Sequence, residues 1–69
     1  MQTTTTTTTR EQLYYTFASM HRHGGSFCAA LALAWCKGDS TNKRRIEDAF
    51  PHLLEDFGPG SRYYSEVSI

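Results

Sequence analysis

The stretch FCAALALAWCKGDSTNKRRIEDAFPHLLEDF, from Phe27 to Phe57, decides the fold. It predicts two helices that meet at a corner, where Gly38 is typical of a helix end and Asp39 of a helix start. Apolar residues recur at helical spacing on both sides of the corner. The predicted apolar faces are Phe27, Ala30, Leu31 and Ala34 in the first helix, and Ile46, Phe50, Leu53, Leu54 and Phe57 in the second.

A further helix is predicted before this stretch, from Arg10 to about Arg22, because Leu13, Phe17 and Met20 share one helical face. A capping box can open it in two ways, with Thr9 facing Gln12 or with Thr8 facing Glu11. The Gly24-Gly25 pair should end it.

The sequence therefore predicts an all-α fold, a small bundle of three main helices whose third helix is kinked or split at Pro51, since proline lacks the N–H that a helix interior needs. Ser26 is the expected N-cap of the second helix, and Asp39, Ser40 and Thr41 compete for that position in the third. The second helix is apolar nearly all round, so it is expected to be central. The predicted core is Leu13, Phe17, Met20, Phe27, Leu31, Ala34, Ile46, Phe50, Leu53, Leu54 and Phe57.

A chain of 69 residues is a single domain at most. We expect a disordered threonine-rich tail over residues 1–9, the helical bundle over 10–60 and a C-terminal tail over 61–69. Within that tail, the segment from Arg62 to Tyr64 either lies back across the bundle or pairs as an edge strand with a partner. So small a core is often supplemented by a partner subunit, which makes a homo-oligomer a reasonable expectation.

Charge is balanced: Lys and Arg together number 7, as do Asp and Glu, and the pI is about 6.8. A dedicated nucleic-acid binder normally carries a positive excess, so protein partners are favoured over nucleic acid. The sequence shows neither a secretion leader nor an apolar run long enough for a membrane span, which predicts a cytoplasmic protein without a membrane partner.

The residues of possible catalytic or metal-binding use lack the spacing that such chemistry requires. Cys28 and Cys36 lie about 12 Å apart along one predicted helix, too far for a disulfide, and both are expected to be buried. His21 and His23 form a poor ligand pair for zinc. We therefore predict no catalytic residue, no metal, no cofactor and no enzymatic activity.

A helix-turn-helix DNA-binding protein is the alternative prediction. Lys43, Arg44 and Arg45 open the helix after the corner, where base and phosphate contacts would be made. Against it, Arg44 stands where the motif wants a branched apolar residue, and Asp39 follows the glycine where an apolar residue is preferred.

Aromatic residues are numerous for so short a chain, and some must lie outside the core. Tyrosine beside arginine is frequent in protein-binding hot spots. The candidate partner-binding residues are Tyr14, Tyr15, Arg45, Arg62, Tyr63 and Tyr64.

Three stretches together resemble short uncharacterised helical proteins encoded by phages and prophages. They are Gly24-Gly25-Ser26-Phe27, then Leu31-Ala32-x-Ala34-Trp35, then Asp39-x-x-Asn42 followed by Ile46-x-x-Ala49-Phe50-Pro51. The similarity spans roughly Tyr14 to Phe57. It implies a phage accessory protein that acts in the bacterial host by binding or inhibiting a host or defence-system protein, and it assigns no functional residue.

Overall fold

The computed structural model describes residues 9–66, and within that range the chain forms four α-helices and no strand. They are α1 (Arg10–His23), α2 (Gly25–Lys37), α3 (Ser40–Ala49) and α4 (Pro51–Phe57). The all-α prediction is confirmed. Residues 1–8, which were expected to be disordered, lie outside the described range, as do the last residues of the tail, 67–69. None of the four helices is long and apolar enough to cross a membrane.

The segment predicted as a third helix that is kinked or split at Pro51 forms two separate helices, so residues 9–66 contain four helices where three main ones were expected. Phe50 separates them with φ −131° and ψ 57°, and Pro51 is the first residue of α4. A residue before proline is driven away from helical backbone angles, and proline is well suited to a first helical position because it needs no hydrogen-bond acceptor there.

The helix starts are set by local side chains. Thr9 and Gln12 form the capping box of α1, with both side-chain-to-backbone bonds at 3.0 Å. Asp39 caps α3, since its carboxylate accepts the Asn42 N–H at 2.8 Å. Ser26 was wrongly expected to cap α2, which begins at Gly25 with Gly24 as its N-cap and no side-chain capping bond.

The core is centred on α1, which packs against both α2 and α4, while α3 connects those two helices. Phe17 and Met20 of α1 are fully buried in this core. The expectation that α2 is central was therefore wrong. The buried apolar residues are Leu13, Phe17, Ala18, Met20, Cys28, Ala32, Trp35 and Phe57.

The predicted inner face of α2 was also wrong. Phe27 is 61% exposed, and Ala30 and Ala34 are exposed as well. Cys28, Ala32 and Trp35 are buried in their place, because turning the large indole inward rotates the opposite side of the helix to solvent. Of the other predicted core residues, Leu13, Phe17, Met20 and Phe57 are confirmed. Leu31, Ile46, Phe50, Leu53 and Leu54 are half-buried.

The described part of the tail returns along α1. The Ser65 N–H donates to the Ser19 hydroxyl at 3.1 Å, and the Tyr63 ring lies 5.4 Å from those of His23 and Phe57. Of the two alternatives left open by the sequence, the structure shows the tail lying back across the bundle.

Candidate interaction surface

One side of α2 is apolar and faces solvent. We call Phe27, Ala30, Leu33 and Ala34 the outer face of α2; all four are exposed. Phe27 is 61% exposed and Leu33 43%, and only Tyr63 joins them as an exposed large apolar residue in residues 9–66. Exposed apolar residues grouped on one side of a helix are common in binding surfaces, so this face is the candidate interaction surface.

The opposite side of α2 is held in place by Trp35, which is 3% exposed. Its indole stacks on Phe17 with ring centres 4.5 Å apart and an angle of 10°. The indole N–H donates to the Glu47 carboxylate at 2.9 Å, and Arg10 forms an ion pair with the same carboxylate at 3.2 Å. Because α1, α2 and α3 each contribute to this arrangement, α2 cannot turn its outer face inward without breaking it.

Lys43 adds to the same arrangement from α3. Its ammonium donates to the Gly38 carbonyl at 2.7 Å and to the Cys36 carbonyl at 3.3 Å, and lies 5.0 Å from the Trp35 ring centre. A cation at this position satisfies the carbonyls at the end of α2 and complements its dipole. Lys43 is thus engaged within the fold.

The outer face extends beyond α2 at its N-terminal end. The Phe27 ring meets that of Phe50 edge to face, with centres 5.9 Å apart. Phe50 is half-buried at the junction of α3 and α4. The apolar surface therefore spans the first turn of α2 and this junction.

A second aromatic group lies on the tail, which carries three of the predicted partner-binding residues, Arg62, Tyr63 and Tyr64. The Arg62 guanidinium lies 5.5 Å from the Tyr63 ring centre, and Tyr63 is 40% exposed. Tyr64 is half-buried and donates to Glu66 at 3.2 Å. The Tyr15 ring contacts that of its neighbour Tyr14 on α1.

The pKa of Tyr64 is raised above its ordinary value. Partial burial is the main cause, followed by its hydrogen bond to Glu66 and by the negative charges of Glu66 and Glu11, with Tyr15 also contributing. Each of these favours the neutral phenol.

The remaining predicted partner-binding residue, Arg45, lies on α3 and donates to Asn42 at 3.1 Å. It lines a shallow surface cavity of about 380 Å³ together with Ser40, Thr41 and Arg44. Of the three cations proposed for DNA binding, Arg44 and Arg45 are exposed and Lys43 is the one engaged within the fold.

The potential metal ligands are dispersed. Cys28 is buried as expected, whereas Cys36 is exposed, which corrects that prediction. The ring of His23 lies against Tyr63. Within residues 9–66, no three His, Cys, Asp or Glu side chains are grouped so that they could hold a metal ion.

The outer face was missed because two sets of apolar residues in α2 both fit helical periodicity. Cys28, Ala32 and Trp35 are spaced four and three residues apart, as usable a pattern as the predicted one. The signal that could have decided between them is size, since Trp35 is the largest side chain in the helix.

The chain was compared with known proteins by family, by sequence and by structure. No protein-family model, curated protein or solved structure matches it. The residues of this chain are therefore the basis for inferring its function, and the phage resemblance remains a prediction.

Proposed function

We propose that this protein is a non-enzymatic protein-interaction module that binds its partner through the outer face of α2. The observation that supports this is the exposure of Phe27 and Leu33 at 61% and 43% on a helix whose other side is buried. Complete burial of a side chain of this kind stabilises a complex by about 1.5–3 kcal/mol. Because Phe27 and Leu33 are still exposed in the free chain, a partner that covers them gains a large part of that free energy.

The biological partner follows from the resemblance to phage proteins. We propose that this chain is a phage accessory protein that binds or inhibits a host or defence-system protein in the bacterial cytoplasm. Self-association through the same apolar face is the alternative occupant.

The tail offers a second surface for the same function. Tyr63 and Arg62 are exposed side by side, and such pairs are common in hot spots. Less of its apolar area is left for a partner to cover than on the outer face, because Tyr63 already contacts Phe57 and His23. We therefore rank it second.

DNA binding is the second candidate function, and the side of α3 that carries Arg44 and Arg45 supports it. Their guanidinium groups and the hydroxyls of Ser40 and Thr41 surround one shallow cavity, a chemistry suited to phosphate. Such binding would weaken steeply as salt rises, whereas apolar binding would not.

A pull-down separates these proposals. The tagged protein would be incubated with nuclease-treated lysate of the bacterial host at moderate salt, and retained proteins identified by mass spectrometry. We expect one stoichiometric partner, reduced at least tenfold by Leu33→Ser or Phe27→Ser.

Two matched variants serve as controls, Tyr63→Ser on the tail and Arg44→Ala on α3, and both should retain the partner. Circular dichroism would show that all four variants fold. Retention by the two α2 variants would reject the outer face as the binding surface. Binding that appears only when nucleic acid is left intact, and fades with Arg44→Ala, would favour the DNA-binding candidate.

A further inference from the structure

We infer that the partner presents an apolar groove bordered by acidic residues, and that Lys37 of this chain reaches the acidic border. This inference rests on the proposed function and names the chemistry of the partner's surface. Its basis is the charge of α2 itself: the helix contains no Asp or Glu, and its one charged side chain is Lys37. The acidic residues are Glu11, Asp39, Glu47, Asp48, Glu55, Asp56 and Glu66.

The shape of α2 suits a groove. The helix has 13 residues and is therefore about 20 Å long. Phe27, Ala30 and Ala34 follow the i, i+3, i+7 spacing by which helices seat in apolar grooves. The small side chains of Ala30 and Ala34 let the walls of a groove approach the backbone, while Phe27 and Leu33 supply the apolar bulk.

The charged end of the helix lies on the same side. Lys37 follows Leu33 by four residues and Ala30 by seven, so it continues the outer face beyond its last apolar residue. It is exposed, and it is the only charged residue of α2. Because residues four apart on a helix lie on the same side, a partner that covers Leu33 also meets this ammonium group. A carboxylate at the rim of the groove would pair with it.

A second copy of this chain fits less well. Parallel pairing of two outer faces would place Lys37 beside Lys37, and antiparallel pairing would bring it toward the basic last turn of α1, which holds His21, Arg22 and His23. Like charges oppose each other in both arrangements. A groove whose walls rise on both sides of the outer face also buries more of these side chains than a second flat helix face would.

Site-specific photo-crosslinking in the host lysate identifies what covers the outer face. A benzophenone-bearing phenylalanine would replace Leu33 in one variant of the full chain, and Arg44 or Tyr63 in two matched controls. We expect the Leu33 variant to crosslink to an apolar segment of a partner protein and the controls to give at least tenfold less product. Crosslinks mapped by mass spectrometry show which segment of the partner is involved.

The other outcomes are distinct. Crosslinks from the control positions alone would overturn the groove and leave protein binding intact. Crosslinks from Leu33 to a second copy of this chain would replace the groove with a homodimer. An absence of specific crosslinks from all three positions would overturn the inference and the proposed function together.

The acidic border is tested with the protein recovered by the Leu33 crosslink, purified and immobilised. We expect Lys37→Glu to weaken its binding about tenfold and Lys37→Gln about threefold, with the difference shrinking as salt rises. Equal affinity of the wild type and Lys37→Glu, with binding still lost in Leu33→Ser, would overturn the acidic border while the proposed function stands.

Discussion

The two sides of α2 are made of similar residues and have opposite surroundings. Cys28, Ala32 and Trp35 are no more than 6% exposed, whereas Phe27 and Leu33 on the other side are 61% and 43% exposed. Both sides are apolar, so hydrophobicity alone does not select the buried one. The selection comes from specific contacts of Trp35, a flat ring to stack on and a carboxylate that accepts its N–H.

Trp35→Ala should have the largest effect of the substitutions considered. It removes a buried aromatic ring and leaves a cavity against Phe17, at a cost of about 3–5 kcal/mol. A single core in a chain of this size rarely supplies more than about 3–5 kcal/mol, so the variant should be largely unfolded. Urea denaturation followed by circular dichroism measures the change.

Phe27→Ala is the matched truncation on the outer face. It loses the ring contact with Phe50 and little buried area, so we expect a loss of about 1 kcal/mol. Equal destabilisation by the two substitutions would show that the two faces of α2 are not distinguished as the structure has them.

The contrast also shows which features the sequence determines locally. Asp39 and Thr9 each cap a helix through a residue three positions away, so their patterns predict helix starts well. The rotation of α2 depends on Phe17 and on Glu47, which lie on other helices. Residue spacing alone does not contain that information, although the size of Trp35 favours the observed side, and the candidate surface was missed for the same reason.

The tail shows a similar division. The sequence indicated that the segment from Arg62 to Tyr64 would be irregular and aromatic, but it did not choose between lying back and pairing as a strand. The Ser19 hydroxyl holds the tail against α1 by accepting a hydrogen bond from the Ser65 N–H. A serine inside a predicted helix carries no sign that its side chain will receive a distant segment.

Gly24 links α1 to α2 and lies close to Cys28 and to the Met20 carbonyl. A Cβ added there would overlap the Cβ of Cys28 and lie 2.8 Å from the Met20 carbonyl oxygen. We expect Gly24→Ala to cost about 1–3 kcal/mol, measured by urea denaturation.

Gly25→Ala is the comparison for this linker. Its added Cβ meets no atom within 4 Å, but its φ of +82° disfavours any L side chain, at about 1–2 kcal/mol. A Gly24→Ala variant as stable as the wild type would mean that the linker does not constrain how α2 is rotated.

The attachment of the tail can be tested by the pH dependence of stability, because the tail contains Tyr64. Its pKa is raised in the folded chain, so its contribution to stability is fully present below the ordinary tyrosine pKa of about 10 and is lost as pH rises through the raised pKa. Thermal melts between pH 8 and about 11.5 should therefore fall more steeply for the wild type than for Tyr64→Phe, which has no phenol to ionise. Parallel curves for the two proteins would contradict the surroundings assigned to this phenol.

Leu33→Ser should change stability least, by about 0.5–1 kcal/mol, because Leu33 is 43% exposed and lies outside the buried apolar cluster. The matched substitution Leu13→Ser, in a leucine that is 7% exposed on α1, should cost about 3–5 kcal/mol. Urea denaturation at two protein concentrations compares them. If Leu33→Ser destabilised the chain as much as Leu13→Ser, and more at high concentration than at low, Leu33 would be buried against a second copy in solution. The outer face would then be a dimer interface, and the difference between the two sides of α2 would exist only in the monomer.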